Sequence, residues 1–287
     1  MPLFYTRESM SRIEAFILAI IEGITEFLPV SSTGHMVVAQ GLMGMESTAY
    51  VRAFTVMIQL GAILSVVVLY RERFFQISPK NKAQTSSAWL ASVGHFYLKL
   101  LVGIIPAAVL GFLFNDWVDK MLGSIMVVIA NLFIGGVAML FIDRISFRKS
   151  GDEVSYKQAF LVGLWQCIAI FLPGISRSMA TIVGGLFSGL TKKSAAEFSF
   201  FLAVPTMFGA TLLQAYKLHK EFGMQVFVDN ADTLIIGNVV SFIVAMLAIK
   251  FFVSYISRKG FAAFGVYRIL FASVVGVLVY WGITFMI

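Results

Sequence analysis

Six apolar runs, each long enough at roughly 18 residues or more to cross about 30 Å of hydrocarbon, constrain this chain more than any other feature. They are Ala53–Tyr70, Phe96–Phe114, Ser124–Ile142, Phe198–Tyr216, Leu234–Val253 and Phe261–Met286. The first, third and fourth carry no charged residue. A backbone in lipid must satisfy its own hydrogen bonds, and segments of this length do so as helices. With 59% hydrophobic and 13% charged residues among 287, and a mean hydropathy of +0.88, too little polar surface remains for a soluble globule. The expected class is an all-α polytopic membrane protein. A formal charge of +7 then reads as lysine- and arginine-rich loops on the cytoplasmic side rather than as affinity for nucleic acid. The single cysteine, Cys167, excludes an intrachain disulfide and a thiolate metal cluster. Residues 1–12 lack the layout of a cleavable signal peptide and are expected to form a tail outside the fold.

An internal repeat organises the runs. Sliding the chain by 144 residues lays Glu14-Ala-Phe, Ile24, Phe27-Leu-Pro29 and Ser32 over Gln158-Ala-Phe, Ile168, Phe171-Leu-Pro173 and Ser176, and lays Phe54 over Phe198. We therefore expect a single membrane domain of two homologous halves, 13–145 and 157–287. Each half opens with two arms too short to span, joined by a polar turn at a proline. Ile13–Leu28 and an arm reaching Leu42 form the first pair (13–43); Tyr156–Leu172 and Arg177–Leu190 form the second (156–190). Such pairs read as re-entrant hairpins, with irregular backbone sheltered by protein or a water-filled cavity. A hairpin returns to its own face and three spans follow, so the second half begins on the opposite face. The expected fold is an inverted-topology repeat of six transmembrane helices plus two re-entrant helical hairpins. Loop charge gives the orientation. Arg71, Arg73, Lys80, Lys82, Arg144, Arg148, Lys149, Lys192, Lys193, Lys250, Arg258 and Lys259 would be cytoplasmic, and the loops Asn115–Lys120 and Leu218–Asp232, with both termini, periplasmic.

The chemistry concentrates in Glu22–His35. Glu22 and Glu26 share a helix face; a proline follows, then Ser31, Ser32, Thr33, a glycine and His35. Serines at a helix start cap it, and the free N–H groups there attract anions. Carboxylates, hydroxyls, an imidazole and an anion cradle suit acyl or phosphoryl transfer. Inverted hairpins would bring this stretch against Ser176-Arg177-Ser178 at mid-membrane, where a guanidinium must be paired or hydrated and its planar fork suits phosphate or carboxylate. A fixed ion pair between Arg177 and Glu22 or Glu26 is the structural alternative. Two carboxylates without a third ligand are a weak divalent-metal signal. Gln59, Asn131 and Gln214 are read as interhelical hydrogen-bonding groups, Arg268 as a snorkelling side chain near the end of the last span, and Gly103, Gly111, Gly135 and Gly136 as positions of close helix approach.

The segments Glu22-Gly-Ile-Thr-Glu-Phe-Leu-Pro-Val-Ser-Ser-Thr-Gly-His35, Ile58-Gln-Leu-Gly-Ala-Ile63, Pro173-Gly-Ile-Ser-Arg-Ser178 and Glu197-Phe-Ser-Phe200 together resemble the undecaprenyl-diphosphatases of the bacitracin-resistance type. The likeness runs over essentially the whole chain. It implies a multi-pass enzyme of the bacterial inner membrane that removes one phosphate from undecaprenyl diphosphate, recycling the lipid carrier for peptidoglycan synthesis, with its site open to the periplasm. It further implies Ser32 as nucleophile, His35, Glu22 and Glu26 as catalytic groups, Arg177 as the phosphate ligand, and Ser176, Ser178 and Thr181 as neighbouring polar contacts; Ser31 and Thr33, flanking Ser32, are further expected substrate contacts. Magnesium or calcium on Glu22 and Glu26 stays open, as does a homodimer; membrane lipid and the prenyl substrate are the expected partners. The rival reading is a lipid-phosphate flippase or secondary transporter with a midplane anion site.

Overall fold

The computed structural model describes residues 10–75, 86–114, 121, 124–145, 153–283 and 285. Lys80, Lys82, Arg148, Lys149, the Asn115–Lys120 loop and residues 1–9 of the expected tail lie outside them. The described residues form helices and no strand. The first half contains α1 (Arg12–Thr25), α2 (Ser32–Leu42), α3 (Ala49–Met57), α4 (Gln59–Leu69), the short α5 (Arg71–Phe74), α6 (Ser86–Leu113) and α7 (Ile125–Ile142). The second contains α8 (Tyr156–Phe171), α9 (Arg177–Phe187), α10 (Lys192–Phe222), the short α11 (Gln225–Asp229), α12 (Ala231–Lys259) and α13 (Ala262–Tyr280). Six segments are long and apolar enough to cross a membrane: Ala49–Leu69, Ser87–Leu113, Ile125–Ile142, Lys192–Phe222, Ala231–Lys259 and Ala262–Tyr280. Each overlaps one of the six expected runs; α6 starts earlier than expected, α10 and α12 extend further, and α13 ends at Tyr280, short of the expected Met286. The fold class is therefore an all-α polytopic membrane protein.

The two halves start with the same local chemistry. Ser11 caps α1 in a reciprocal capping box with Glu14, and Ser155 caps α8 in the same way with Gln158. These caps lie 144 residues apart. α1 and α2, of 14 and 11 residues, extend only about 21 and 17 Å, so neither crosses a bilayer.

Each hairpin's first arm packs on a long helix of the other half: α1 on α12, and α8 on α6. Small residues permit both crossings. A Cβ on Gly163 of α8 would sit 2.2 Å from the Gly103 carbonyl oxygen of α6, and one on Gly23 of α1 would sit 2.7 Å from Val244 Cβ of α12. Without water to expel, close van der Waals packing of this kind is what holds helices together in lipid. Further interfaces between the halves pair α3 and α4 with both α10 and α12, α6 with α10, and α7 with α13.

The first long span is broken, a feature the sequence pattern did not suggest. Between α3 and α4 the helix is interrupted at Ile58, and the second half supplies partners for the backbone there. Ser241 donates to the Ile58 carbonyl at 2.7 Å, Thr211 to that of Val56 at 3.2 Å, and the Gly61 N–H donates to Asn238 Oδ1 at 2.8 Å. Inserted side chains are an ordinary cause of such breaks. At one end of the bundle Asp143, just beyond α7, accepts from Lys192 Nζ at 2.5 Å and from the Phe261 and Ala262 N–H groups at 2.5 and 3.0 Å. One carboxylate thereby ties the end of α7 to the starts of α10 and α13. At the other end Arg12 pairs with Asp232 at 2.7 Å, joining the starts of α1 and α12.

Candidate functional site

Both hairpin turns are shaped by a proline and by a serine in the left-handed region. Glu26 is the last helical-conformation residue after α1, donating its N–H to the Glu22 carbonyl at 2.9 Å. After Pro29, Ser31 adopts φ 72° and ψ 92° and caps α2 through its hydroxyl, which accepts from Gly34 N–H at 3.4 Å. In the second turn Gly174 (φ 97°) follows Pro173, and Ser176 adopts φ 81° and caps α9, accepting from Met179 N–H at 3.3 Å. Ser31 and Ser176 are the two non-glycine residues of positive φ among those described, a conformation that costs of order 1 kcal/mol and persists only where the surroundings enforce it. They lie 145 residues apart, one more than the helix caps before them. The second turn is thus one residue longer, and Ser32 corresponds in space to Arg177 rather than to Ser176. Each is the first residue of its arm.

The turns meet. Arg177 Nη2 donates to Glu26 Oε1 at 2.7 Å, while Ser32 Oγ donates to Glu26 Oε2 at 2.5 Å. One carboxylate therefore joins the leading residues of both second arms. Arg177 is held further by the Ser199 carbonyl at 3.2 Å and by Met207 Sδ at 3.2 Å, and it lies over the Phe27 ring at 5.9 Å. Its side chain keeps 16% exposure and Ser32 is half-buried, so both are reachable. The Arg177–Glu26 ion pair anticipated as the structural alternative is present, and it coexists with the Ser32 contact.

The other expected site residues divide into three groups. Ser178 and Thr181 are buried and hydrogen-bonded within the protein. Ser178 donates to the Leu28 carbonyl of the first turn at 2.8 Å and lies 2.9 Å from Ser176 Oγ. Thr181 Oγ1 bonds the Arg177 and Ser178 carbonyls at 2.9 and 3.1 Å and Ser199 Oγ at 2.6 Å. Both stand where they brace the second turn. Thr33 is exposed at the start of α2. His35 has both ring nitrogens engaged away from Ser32: Nδ1 donates to the Ser31 carbonyl at 2.8 Å, and Nε2 meets the Tyr267 hydroxyl at 2.6 Å. A carbonyl can only accept, which assigns the proton to Nδ1. The imidazole also stacks on Phe271 at 4.0 Å between ring centres.

Glu22 is buried and its Oε1 has no hydrogen-bond partner. Among the described residues no group of three or more His, Cys, Asp and Glu side chains gathers to hold a metal ion. The carboxylates fit a hard divalent cation only in the manner of magnesium, which takes one or two protein carboxylates and completes its shell with substrate phosphate and water. Glu22 Oε1, buried and without a hydrogen-bond partner, is the oxygen that would hold it.

Sequence reasoning misplaced one residue that the structure makes central. Arg268 does not snorkel; it is fully buried, the largest such side chain among the described residues. Its guanidinium donates to the carbonyls of Pro29 (3.1 Å), Gly174 (3.0 Å), Ile175 (2.8 Å), Asn131 (3.2 Å) and Leu132 (3.2 Å). Asn131 Nδ2 in turn donates to the Pro173 carbonyl at 2.8 Å. A charge in the middle of the last span was the available signal. Ser199 lay within the quoted segment Glu197–Phe200 but was given no role, and no pattern in the sequence pointed to Tyr267.

A family model described as bacitracin resistance protein BacA matches residues 15–274, a range that takes in both turns and every side chain just described. The chain belongs to this family. Relatives named undecaprenyl-diphosphatase include one from Porphyromonas gingivalis, 57% identical over 277 residues that cover 96% of this chain and 99% of the relative. Another from Flavobacterium psychrophilum is 51% identical over 91% of this chain and 93% of its own length, and a third from Bdellovibrio bacteriovorus is 45% identical over 95% and 98%. BacA-family membership thus extends through the whole membrane domain.

Proposed function

We propose that this protein is an undecaprenyl-diphosphate phosphatase that uses Ser32 as its nucleophile, and that its halves are inverted copies whose turns close on the diphosphate. The names of the relatives support the activity. The observation that carries the mechanism is the placement of Ser32 Oγ and Arg177 Nη2 on the two oxygens of Glu26.

Glu26, in direct contact with the Ser32 hydroxyl, is the group placed to take its proton, in preference to His35. Arg177 turns from Glu26 to the arriving phosphate, whose planar oxygens suit its fork. Ser32 Oγ bonds to the terminal phosphorus, the bond from that phosphorus to the bridging oxygen breaks, and undecaprenyl phosphate departs with that oxygen and the proton Glu26 received. Water then attacks the phosphoserine, giving a proton to Glu26; the P–Oγ bond breaks, inorganic phosphate leaves, and Glu26 returns the proton to Ser32. Transfer of this kind is mostly positioning and charge stabilisation. Magnesium, when bound on Glu22, would draw charge from the transferring phosphoryl group. His35 holds the Ser31 carbonyl and hence the cap from which Ser32 projects; Ser31, Ser176, Ser178 and Thr181 keep the two turns in shape, and Thr33 stands at the open edge. In the cell, the lysine- and arginine-rich end faces the cytoplasm of a bacterial inner membrane, the site is reached from the periplasm, and the reaction returns the lipid carrier to cell-wall synthesis.

Purified protein in detergent is expected to release phosphate from a prenyl diphosphate, and Ser32→Ala to lose that activity while keeping the wild-type melting temperature. Full activity in the alanine variant would move the nucleophile elsewhere, and a wild-type protein that binds the lipid without releasing phosphate would point to transport.

A further inference from the structure

Arg268 carries a positive charge into the centre of the molecule and meets backbone oxygens only: the five acceptors it reaches are carbonyls. Burying a guanidinium in this way is costly and survives where its donors are used. Two of those carbonyls follow the proline of the second turn, one is the proline of the first, and two belong to α7. A single planar group is thus bonded to both hairpin tips and to the helix behind them.

The peptide planes of the turns are fixed as a result. The described residues contain no cis peptide bond, so each N–H points away from the carbonyl of the same peptide. With the carbonyls of Pro29, Gly174 and Ile175 turned toward Arg268 and that of Pro173 toward Asn131, the N–H groups of Val30, Ile175, Ser176 and Gly174 point away from these two side chains. Val30 and Ile175 spend theirs on the Leu28 and Leu172 carbonyls, at 2.8 and 3.1 Å. Those of Gly174 and Ser176 have no partner among the described residues. With the first-turn amides of α9 that Ser176 does not cap, the Ser176 N–H leaves donors adjoining Arg177 in the chain. The helix crossing leaves room for nothing larger than hydrogen at Gly135, where a Cβ would stand 2.2 Å from Arg268 Nη2. The preceding residue, Tyr267, extends the grip to α2 through His35.

We propose that Arg268 is a positioning residue for phosphoryl transfer: by holding both turns on one guanidinium it sets the separation of Ser32 and Arg177 and aims the second turn's amides at the phosphate. The proposal rests on the phosphatase reading above. A lysine at 268 would keep the charge but, as a point donor on a flexible stem, could not reach carbonyls of both turns and of α7 together.

The test compares wild type, Arg268→Lys and Asn131→Leu in detergent, with a short-chain prenyl diphosphate as substrate and melting temperature as the control for folding. Arg268→Lys is expected to lose at least about tenfold in kcat, within the range that a misplacement of ~1 Å produces, with KM changed by less than about threefold and melting retained. Asn131→Leu, which frees only the Pro173 carbonyl, should show a smaller loss in the same parameter. A wild-type kcat in either folded variant, or a loss confined to KM, overturns the proposal. Wild-type protein that releases no phosphate would overturn the phosphatase reading and the proposal with it, so the two failures are told apart.

Discussion

Glu26 receives donors that arrive from opposite halves of the chain, and its neutral isostere isolates what that carboxylate contributes. Glu26→Gln keeps an acceptor for one donor but removes both the base and the charge opposite Arg177, so phosphate release is expected to fall by at least about 10²-fold, the lower range for general-base loss. The left-handed serines offer a sharper stability test. Ser31→Ala loses the cap, worth ~1 kcal/mol, and keeps the strained φ; Ser31→Gly loses the same cap but is at ease at φ 72°. The glycine variant should therefore melt above the alanine variant. At this scale the sequence was readable where polar residues cluster at the two prolines: Glu26, Ser32 and Arg177 stand together, whatever their individual roles. It was not readable where the partner is a backbone carbonyl or an aromatic ring. Arg268 was misjudged because position along a span says nothing of which way a side chain turns, and Tyr267 looks like any other lipid-facing ring until His35 is found against it.

The hairpins are seated by small residues, and the two seats differ in what would have to give way. At Gly163 an added methyl meets the backbone of α6, whereas at Gly23 it meets chiefly the Val244 side chain of α12. Gly163→Ala is expected to destabilise more than Gly23→Ala, by ~1–3 kcal/mol as overpacking typically does, and to lower phosphate release with it, because α8 carries the second turn. Thermal melts and activity on both variants decide. The spans and the hairpin arms followed from run length and proline alone, since both are properties of single segments. The interruption at Ile58 did not, because Ser241, Thr211 and Asn238, which bond the backbone around it, come from more than 150 residues away. Nor did the extra residue in the second turn, which a constant offset conceals and which only the matched backbone angles of Ser31 and Ser176 reveal.

Across the whole molecule, Asp143 draws Lys192 and the start of α13 together at one end of the bundle, and the Arg12–Asp232 pair lies at the other. Orientation in the bilayer is open to labelling. In intact cells a membrane-impermeant maleimide should modify Asp229→Cys and spare Lys193→Cys, both exposed positions at opposite ends; the reverse pattern would turn the protein over. The native Cys167 is buried and should stay silent.

The equivalence of Ser32 and Arg177 has an implication for how a headgroup can lie. Two arms related by a rotation would, with identical leading residues, accept a diphosphate in either direction. Here one arm begins with a hydroxyl and the other with a cation, so under the proposed reaction the site is polar in the sense that a socket is: the phosphate to be removed would always face Ser32, and the prenyl chain would always exit on the same side.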